Sequence, residues 1–236
     1  MAYTFEPIGV IRSPYKEKFG IPRQPGLIPE ARGELVFCSP YNRPEAVIGL
    51  EGYSHVWLQF VFHQALRDEW QPMVRPPRLG GNKRVGVFAS RAPFRPNPLG
   101  LSVVRLDGVR SADGEVVLEL SGIDLLDGTP VLDVKPYVGY VDSIPEASSG
   151  FAPVAPAAKF GVRFSDLAEA QLLAHFEPEQ LRLFITHLLE MDPRPAYTGE
   201  AEPDRVYGMR LYDFDLRWRI SGQVIEVLEL APVGVD

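Results

Sequence analysis

Short alternations of apolar and polar residues dominate the first 143 positions. Apolar runs of strand length fall at 7–12, 33–37, 54–62, 85–89, 101–106, 116–120 and 131–134. Turn formers separate them: Gly80-Gly81, Asp113-Gly114, Asp127-Gly128 and many prolines. Sustained helical periodicity is missing here, although 44–50 and 63–69 have room for a turn or two. Many short strands joined by Gly- and Pro-rich turns predict a mainly β chain whose N-terminal part is an antiparallel or mixed β-barrel.

The pattern changes after residue 143. A Pro-, Ala- and Ser-rich stretch, 144–160, reads as an extended crossing between domains. Beyond it, Ser165 or Asp166 can cap a helix, with Glu169 placed to complete a capping box behind Asp166. Leu167, Ala170, Leu173 and Ala174 follow at helical spacing. Pro178 suits the first turn of a second helix, which Leu181, Ile185, Leu188 and Leu189 line before Asp192-Pro193 ends it. Strict alternation over 214–220 marks a half-exposed strand, Ser221-Gly222 a turn, and 224–230 a last strand. The predicted organisation is a barrel domain over 1–143, a linker over 144–160 and a small α+β domain over 161–236.

Composition narrows the function classes. Hydrophobic residues make up 45% and charged residues 23% of 236, ordinary for a globular protein. No apolar run approaches the roughly 18 residues that span a bilayer, and the N-terminal stretch lacks the layout of a secretory signal. The one cysteine, Cys38, has no internal partner, so a cytoplasmic home is expected and cysteine-held zinc is not. The net charge of −7 argues weakly against nucleic acid, but it hides an asymmetry. Between Trp70 and Leu106 stand Arg75, Arg78, Lys83, Arg84, Arg91, Arg95 and Arg105, with no Asp or Glu. Such a block is either a basic binding surface or a set of cations paired with carboxylates from other segments.

Several chemistries lack their motifs. There is no GxSxG, no phosphate loop, no Rossmann glycine signature, and the four histidines have no metal-ligand spacing. Four segments stand out instead. Phe94-Arg95-Pro96-Asn97-Pro98-Leu99-Gly100 is a loop stiffened by prolines, suited either to a barrel corner or to holding a ligand. Asp124 to Pro130 contains Asp127-Gly128, either a plain hairpin turn or a turn offering N–H groups and a carboxylate. Residues 16–24, KEKFGIPRQ, form an exposed polar arm, and Phe62-His63-Gln64 ends a strand in two hydrogen-bonding side chains.

Together these segments resemble the TrmO (TsaA-like, also called YaeB or VirR) family of tRNA methyltransferases. The resemblance rests on IGVIRSPYKEKFGIPRQPG at 8–26, GLEGYSHVW at 49–57, FVFHQ at 60–64, VRPPRLGGNKRVGVFASRAPFRPNPLGLS at 74–102, DLLDGTPVLDVKPY at 124–137 and DPRPAY at 192–197. It implies a non-Rossmann β-barrel that binds S-adenosylmethionine, works as a homodimer with no metal, and methylates N6 of threonylcarbamoyladenosine, at position 37 beside the anticodon of threonine tRNAs. It places cofactor contacts on Pro22, Arg23, Gln24, His63, Gln64, Arg91 and Leu101, and on Leu126, Asp127, Gly128 and Thr129. Asp133, Tyr137 and His63 are candidates for the group that takes the acceptor's proton. Arg75, Arg78, Lys83 and Arg84 are expected to contact tRNA. An S-adenosylmethionine sensor without catalysis and a cofactor-free nucleic-acid adaptor are the alternatives.

Overall fold

The computed structural model describes residues 3–80, 82–112, 114–194 and 205–234. Six strands close a barrel in which every neighbouring pair is antiparallel. In chain order the strands up to the barrel's end are β1 (Gly9–Arg12), β2 (Arg32–Phe37), β3 (His55–Val61), β4 (Met73–Val74), β5 (Val85–Gly86), β6 (Leu99–Ala112), β7 (Glu115–Ser121) and β8 (Pro130–Pro136). The barrel runs β1-β2-β7-β6-β3-β8, while β4 and β5 pair separately as a small ribbon. Its interior follows the period-2 rule. On β3 Val56, Leu58 and Phe60 are buried; on β6 Val104 and Leu106; on β7 Leu118 and Leu120. Gly100 lies opposite Phe60. A Cβ there would sit 2.2 Å from the Phe60 ring, so the glycine makes room for the aromatic plug.

The predicted strand over 85–89 shrinks to β5, two residues long, because Val87 to Ala89 coil into a 3-10 turn. The Val87 amide bonds Pro72 O at 3.0 Å and the Ser90 hydroxyl caps Val87 O at 2.9 Å, contacts that a local apolar run does not encode. Conversely, the run over 101–106 is only the middle of the 14-residue β6.

A short helix, α1 (Gly139–Asp142), leads out of the barrel. The second unit contains β9 (Gly161–Phe164), α2 (Asp166–Leu173), α3 (Pro178–Glu190), β10 (Val206–Leu211), β11 (Phe214–Ser221) and β12 (Val224–Pro232). Its sheet has the order β10-β11-β12-β9, with only the β12–β9 pair parallel. Ser165 is the N-cap of α2, accepting from the Ala168 amide at 3.1 Å. Glu169 does not close the expected box around Asp166; its carboxylate grips the Arg182 guanidinium on α3 instead. Leu181, Phe184, Ile185, Leu188 and Leu189 give α3 its buried face, and Phe214, Leu216, Trp218 and Ile220 are the buried positions of β11.

Residues 13–31 leave the barrel and lie against this second sheet. Tyr15 forms a β-bridge with Leu211, and Phe19 stacks on Trp218 with ring centres 6.1 Å apart. Glu30 meets His187 at 2.7 Å and Arg32 meets Glu177 at 3.0 Å. The arm expected to be exposed is therefore clamped. Its Phe19 and Ile21 join an apolar cluster that runs from the barrel interior to α3 and β11. No helix among the described residues is long and apolar enough to cross a membrane.

Candidate functional site

The clamped arm reaches three segments far from it in sequence. Lys16 Nζ meets Asp127 Oδ2 at 2.9 Å, Lys18 Nζ donates to Gln64 O at 2.6 Å, and Gln24 Oε1 accepts from Arg91 Nη1 at 2.6 Å. The 124–130 turn, the 63–64 turn that follows β3, and the loop after β5 thus converge on residues 16–24. Each anchor has its own local cause. Gly128 takes a left-handed φ of 75°, and Asp127 Oδ1 accepts from the Ser13 amide at 2.8 Å, so the turn is stitched to the end of β1. Arg95 Nη1 donates to Ser90 O at 2.7 Å and Val87 O at 3.2 Å, closing the proline-stiffened loop that carries Arg91. Leu101 points outward from β6, half exposed and opposite Gln59. Pro22 and Arg23 lie on the arm, but Arg23 turns toward Asp192 and Arg78. Its half-burial lowers the guanidinium pKa, an effect that Asp192 opposes and Arg78 reinforces.

Beneath Arg91 lies a group that local sequence signals did not single out. The Asp124 carboxylate accepts from Ser102 Oγ at 2.7 Å. Burial raises its pKa to about 6, against the Ser102 bond, a backbone bond and the charge of Arg91, which all favour the ionised form. An acid whose folded pKa is raised costs nothing below its unfolded pKa near 4. Stability then falls as pH climbs from about 4 to about 6, and the loss stays constant above. Part of the carboxylate still meets solvent, so the cost is held to about 2 kcal/mol. Asp124→Asn keeps the shape and removes the charge. In thermal melts of the protein without ligand it is expected to be more stable than wild type by about 2 kcal/mol at pH 8 and level with it near pH 4. A difference that does not change with pH would contradict the buried-charge account.

The basic block resolves into two populations. Ten cations between Arg105 and Arg219 hold carboxylates, among them Arg105 with Asp107 two positions along the same strand face. Among the described residues, Lys18, Arg23, Arg67, Arg75, Arg78, Lys83, Arg84, Arg91 and Arg95 hold none. Those with resolved bonds donate to neutral acceptors: Arg78 Nη2 to Val154 O at 2.6 Å, for example. A cluster of unneutralised cations around one loop system repels itself, and an anionic partner relieves that.

The three candidate proton acceptors are not together. Asp133 Oδ2 is held by Lys135 Nζ at 2.7 Å, and the Tyr137 ring lies against His55 and Trp57. His63 shares its turn with Gln64, next to the arm. Of the 192–197 segment, Asp192 and Arg194 form a bidentate pair at 2.8 and 3.1 Å, whereas Pro195, Ala196 and Tyr197 lie outside the described residues. Among the described residues no group of three or more His, Cys, Asp or Glu side chains is arranged to hold a metal.

As a donor set, this convergence suits S-adenosylmethionine. Arg91, with one N–H on Gln24 and no carboxylate partner among the described residues, offers its remaining N–H groups to the amino-acid carboxylate, and Gln24 offers an amide. Asp127 and the turn carbonyls offer oxygen acceptors for the ammonium, the sulfonium and the ribose hydroxyls.

Residues 10–143 match the family described as tRNA-methyltransferase O N-terminal domain, and residues 157–233 match the TrmO C-terminal domain. The chain is 52% identical to the tRNA (adenine(37)-N6)-methyltransferase of Escherichia coli K12, covering 98% of this chain and 99% of that one. It is 51% identical, over 98% of this chain and 99% of the relative, to a Pseudomonas aeruginosa protein named "Putative S-adenosylmethionine-dependent methyltransferase RcsF". The crystal structure of TrmO from Pseudomonas aeruginosa superposes with a TM-score of 0.80 at 45% identity, covering 98% of this chain and 99% of that one.

Proposed function

Because the chain belongs to the TrmO family, we propose that it transfers a methyl group from S-adenosylmethionine to N6 of an adenosine in tRNA. The observation that carries the reading is the convergence of the 16–24 arm with Arg91 and the 63–64 and 124–130 turns, in a chain whose 70–104 stretch carries cations that hold no carboxylate among the described residues. The donor set suits the cofactor, and the unpaired cations suit a polyanion.

The bound cofactor supplies an electrophilic methyl group on a sulfonium. Everything else falls to the chain. Arg91, braced by Gln24, takes the cofactor's carboxylate, and Pro22, Arg23, His63, Gln64 and Leu101 complete the walls. Leu126, Asp127, Gly128 and Thr129 hold the polar edge of the nucleoside part with backbone groups and one carboxylate. Methyl transfer is an in-line displacement, so a site assembled from turns locked at both ends contributes mainly by alignment. The acceptor nitrogen must shed a proton. His63 takes it: it shares a turn with Gln64, whose carbonyl the arm's Lys18 bonds, whereas Asp133 is tied to Lys135 and Tyr137 to its aromatic neighbours.

The substrate is threonine tRNA carrying threonylcarbamoyladenosine, whose added carboxylate the uncompensated arginines favour. Arg75, Arg78, Lys83 and Arg84 hold the tRNA backbone. The protein works in the cytoplasm as a homodimer, for which Leu99 and Leu101, exposed on the outer face of β6, offer an apolar seam. The barrel (1–143) carries the reaction, and the 161–236 unit, joined through 144–160, backs the arm. The test is transfer of label from methyl-labelled S-adenosylmethionine into this tRNA. Cofactor binding without transfer would leave a sensor of S-adenosylmethionine rather than an enzyme.

A further inference from the structure

Next to the methyl-transfer site lies a second recess that the reaction does not use. A cavity of about 220 Å³ opens between the 65–70 turn and the 93–98 loop. Its two walls continue the two segments already described: Ala65 follows Gln64 directly, and Pro93 stands two residues after Arg91. The recess therefore adjoins the place where the target adenosine is presented.

Its lining is unusual for a protein surface. The Trp70 indole is 47% exposed and stacks on Phe88, itself 71% exposed, with ring centres 6.1 Å apart. The Arg67 guanidinium lies 4.1 Å above the Phe94 ring. Flat aromatic faces left open to water, layered with arginine, are the elements on which single-stranded RNA bases stack. Asp68 and Glu69 also line the cavity, and neither holds a cation among the described residues. Their carboxylates are free to accept from the exocyclic amine of a base, a contact that a phosphate, having no donor, cannot make.

We propose that this recess is a subsite for an unstacked nucleobase that neighbours the target adenosine in the anticodon loop, its face on Trp70 and its amino edge toward Asp68 and Glu69. The proposal rests on the tRNA methyltransferase reading above and adds to it a position where the enzyme reads sequence context. A second copy of this chain is the other occupant to consider. A two-fold contact sets a patch against itself and would give Arg67 and Arg95 the copy's Asp68 and Glu69 as counter-charges, so charge does not separate the two occupants. The exposed indole of Trp70 and the arginine layered on Phe94 are what favour a base.

The experiment uses the full chain and synthetic anticodon stem-loop RNA bearing threonylcarbamoyladenosine at position 37, with versions that lack the base on either side. Loss of one stacking contact lowers affinity by about tenfold. Trp70→Ala is expected to raise KM for the RNA by that factor, leave S-adenosylmethionine affinity unchanged, and recover with Trp70→Phe. Removing one neighbouring base costs the wild type the same factor and costs the alanine variant nothing more. Losses that multiply, or an alanine variant that matches wild type, would overturn the subsite while leaving the enzyme reading intact. A change of oligomeric state in sedimentation would also overturn it, in favour of the second copy. No transfer by the wild-type protein to any of these RNAs would remove the enzyme reading and the subsite together.

Discussion

Replacing Arg75, Arg78, Lys83 and Arg84 together with alanine is expected to cost about a thousandfold in tRNA affinity at 0.1 M salt. None of the four holds a carboxylate among the described residues, so each is available to a phosphate. A phosphate contact contributes about 0.7 to 0.9 to the slope of log affinity against log salt. Four contacts therefore flatten that slope by about 3, and a slope difference of 3 over one decade of salt is the thousandfold. Filter binding across a salt series reads both quantities from one data set. S-adenosylmethionine affinity should not move. An unchanged slope would mean that the four side chains do not meet RNA. Arg78 also bonds Val154 O, so a melting curve should accompany the binding data to separate a loosened 144–160 segment from a lost phosphate contact.

Arg91→Ala is expected to weaken S-adenosylmethionine binding by about a hundredfold. The guanidinium is oriented by Gln24 at 2.6 Å and faces the buried Asp124 carboxylate, so it is held in place before any ligand arrives. Hydrogen bonds between charged partners contribute about 1.5 to 3 kcal/mol, or roughly tenfold to more than a hundredfold. The upper end applies here because Gln24 holds the guanidinium in place before the ligand arrives. Arg91→Lys should recover little, since an ammonium does not reproduce the planar fork. Titration calorimetry with S-adenosylmethionine measures this directly, and tRNA affinity is the control that should stay level. A loss of threefold or less would take Arg91 out of the cofactor site.

The fold was legible wherever burial follows a local period. Strict alternation over 214–220 became β11 because one face of that sheet packs on helices and the other meets water. Ser165 and Pro178 marked the helix starts because capping is local chemistry. Legibility failed where distant segments decide. The 16–24 arm reads as polar and exposed, yet Phe19 lies on Trp218, nearly two hundred residues away, and the arm is clamped. The short strands β9 and β10 carried no clear alternation of their own and exist because β12 and β11 pair with them.

The site divides along the same line. Residue type and turn chemistry pointed to the segments carrying Gln24, Gln64 and Asp127, the family resemblance added Arg91, and the structure brings all four onto one arm. Asp124 looked like part of a turn, because nothing local says that Ser102 will cover it. Whether the basic block pairs internally was equally undecidable from sequence. Among the described residues, carboxylates reach Arg105 from its own strand and Arg110 from β2 and β7, and reach none of the other six cations between Trp70 and Leu106.

The most direct measurement is mass spectrometry of nucleosides from threonine tRNA incubated with the protein and trideuteromethyl-labelled S-adenosylmethionine. The expected result is one new nucleoside, threonylcarbamoyladenosine bearing a single trideuteromethyl group on N6, formed by the wild-type chain and lost in Arg91→Ala. Label on any other nucleoside, or unmodified tRNA in the presence of bound cofactor, would contradict the assignment.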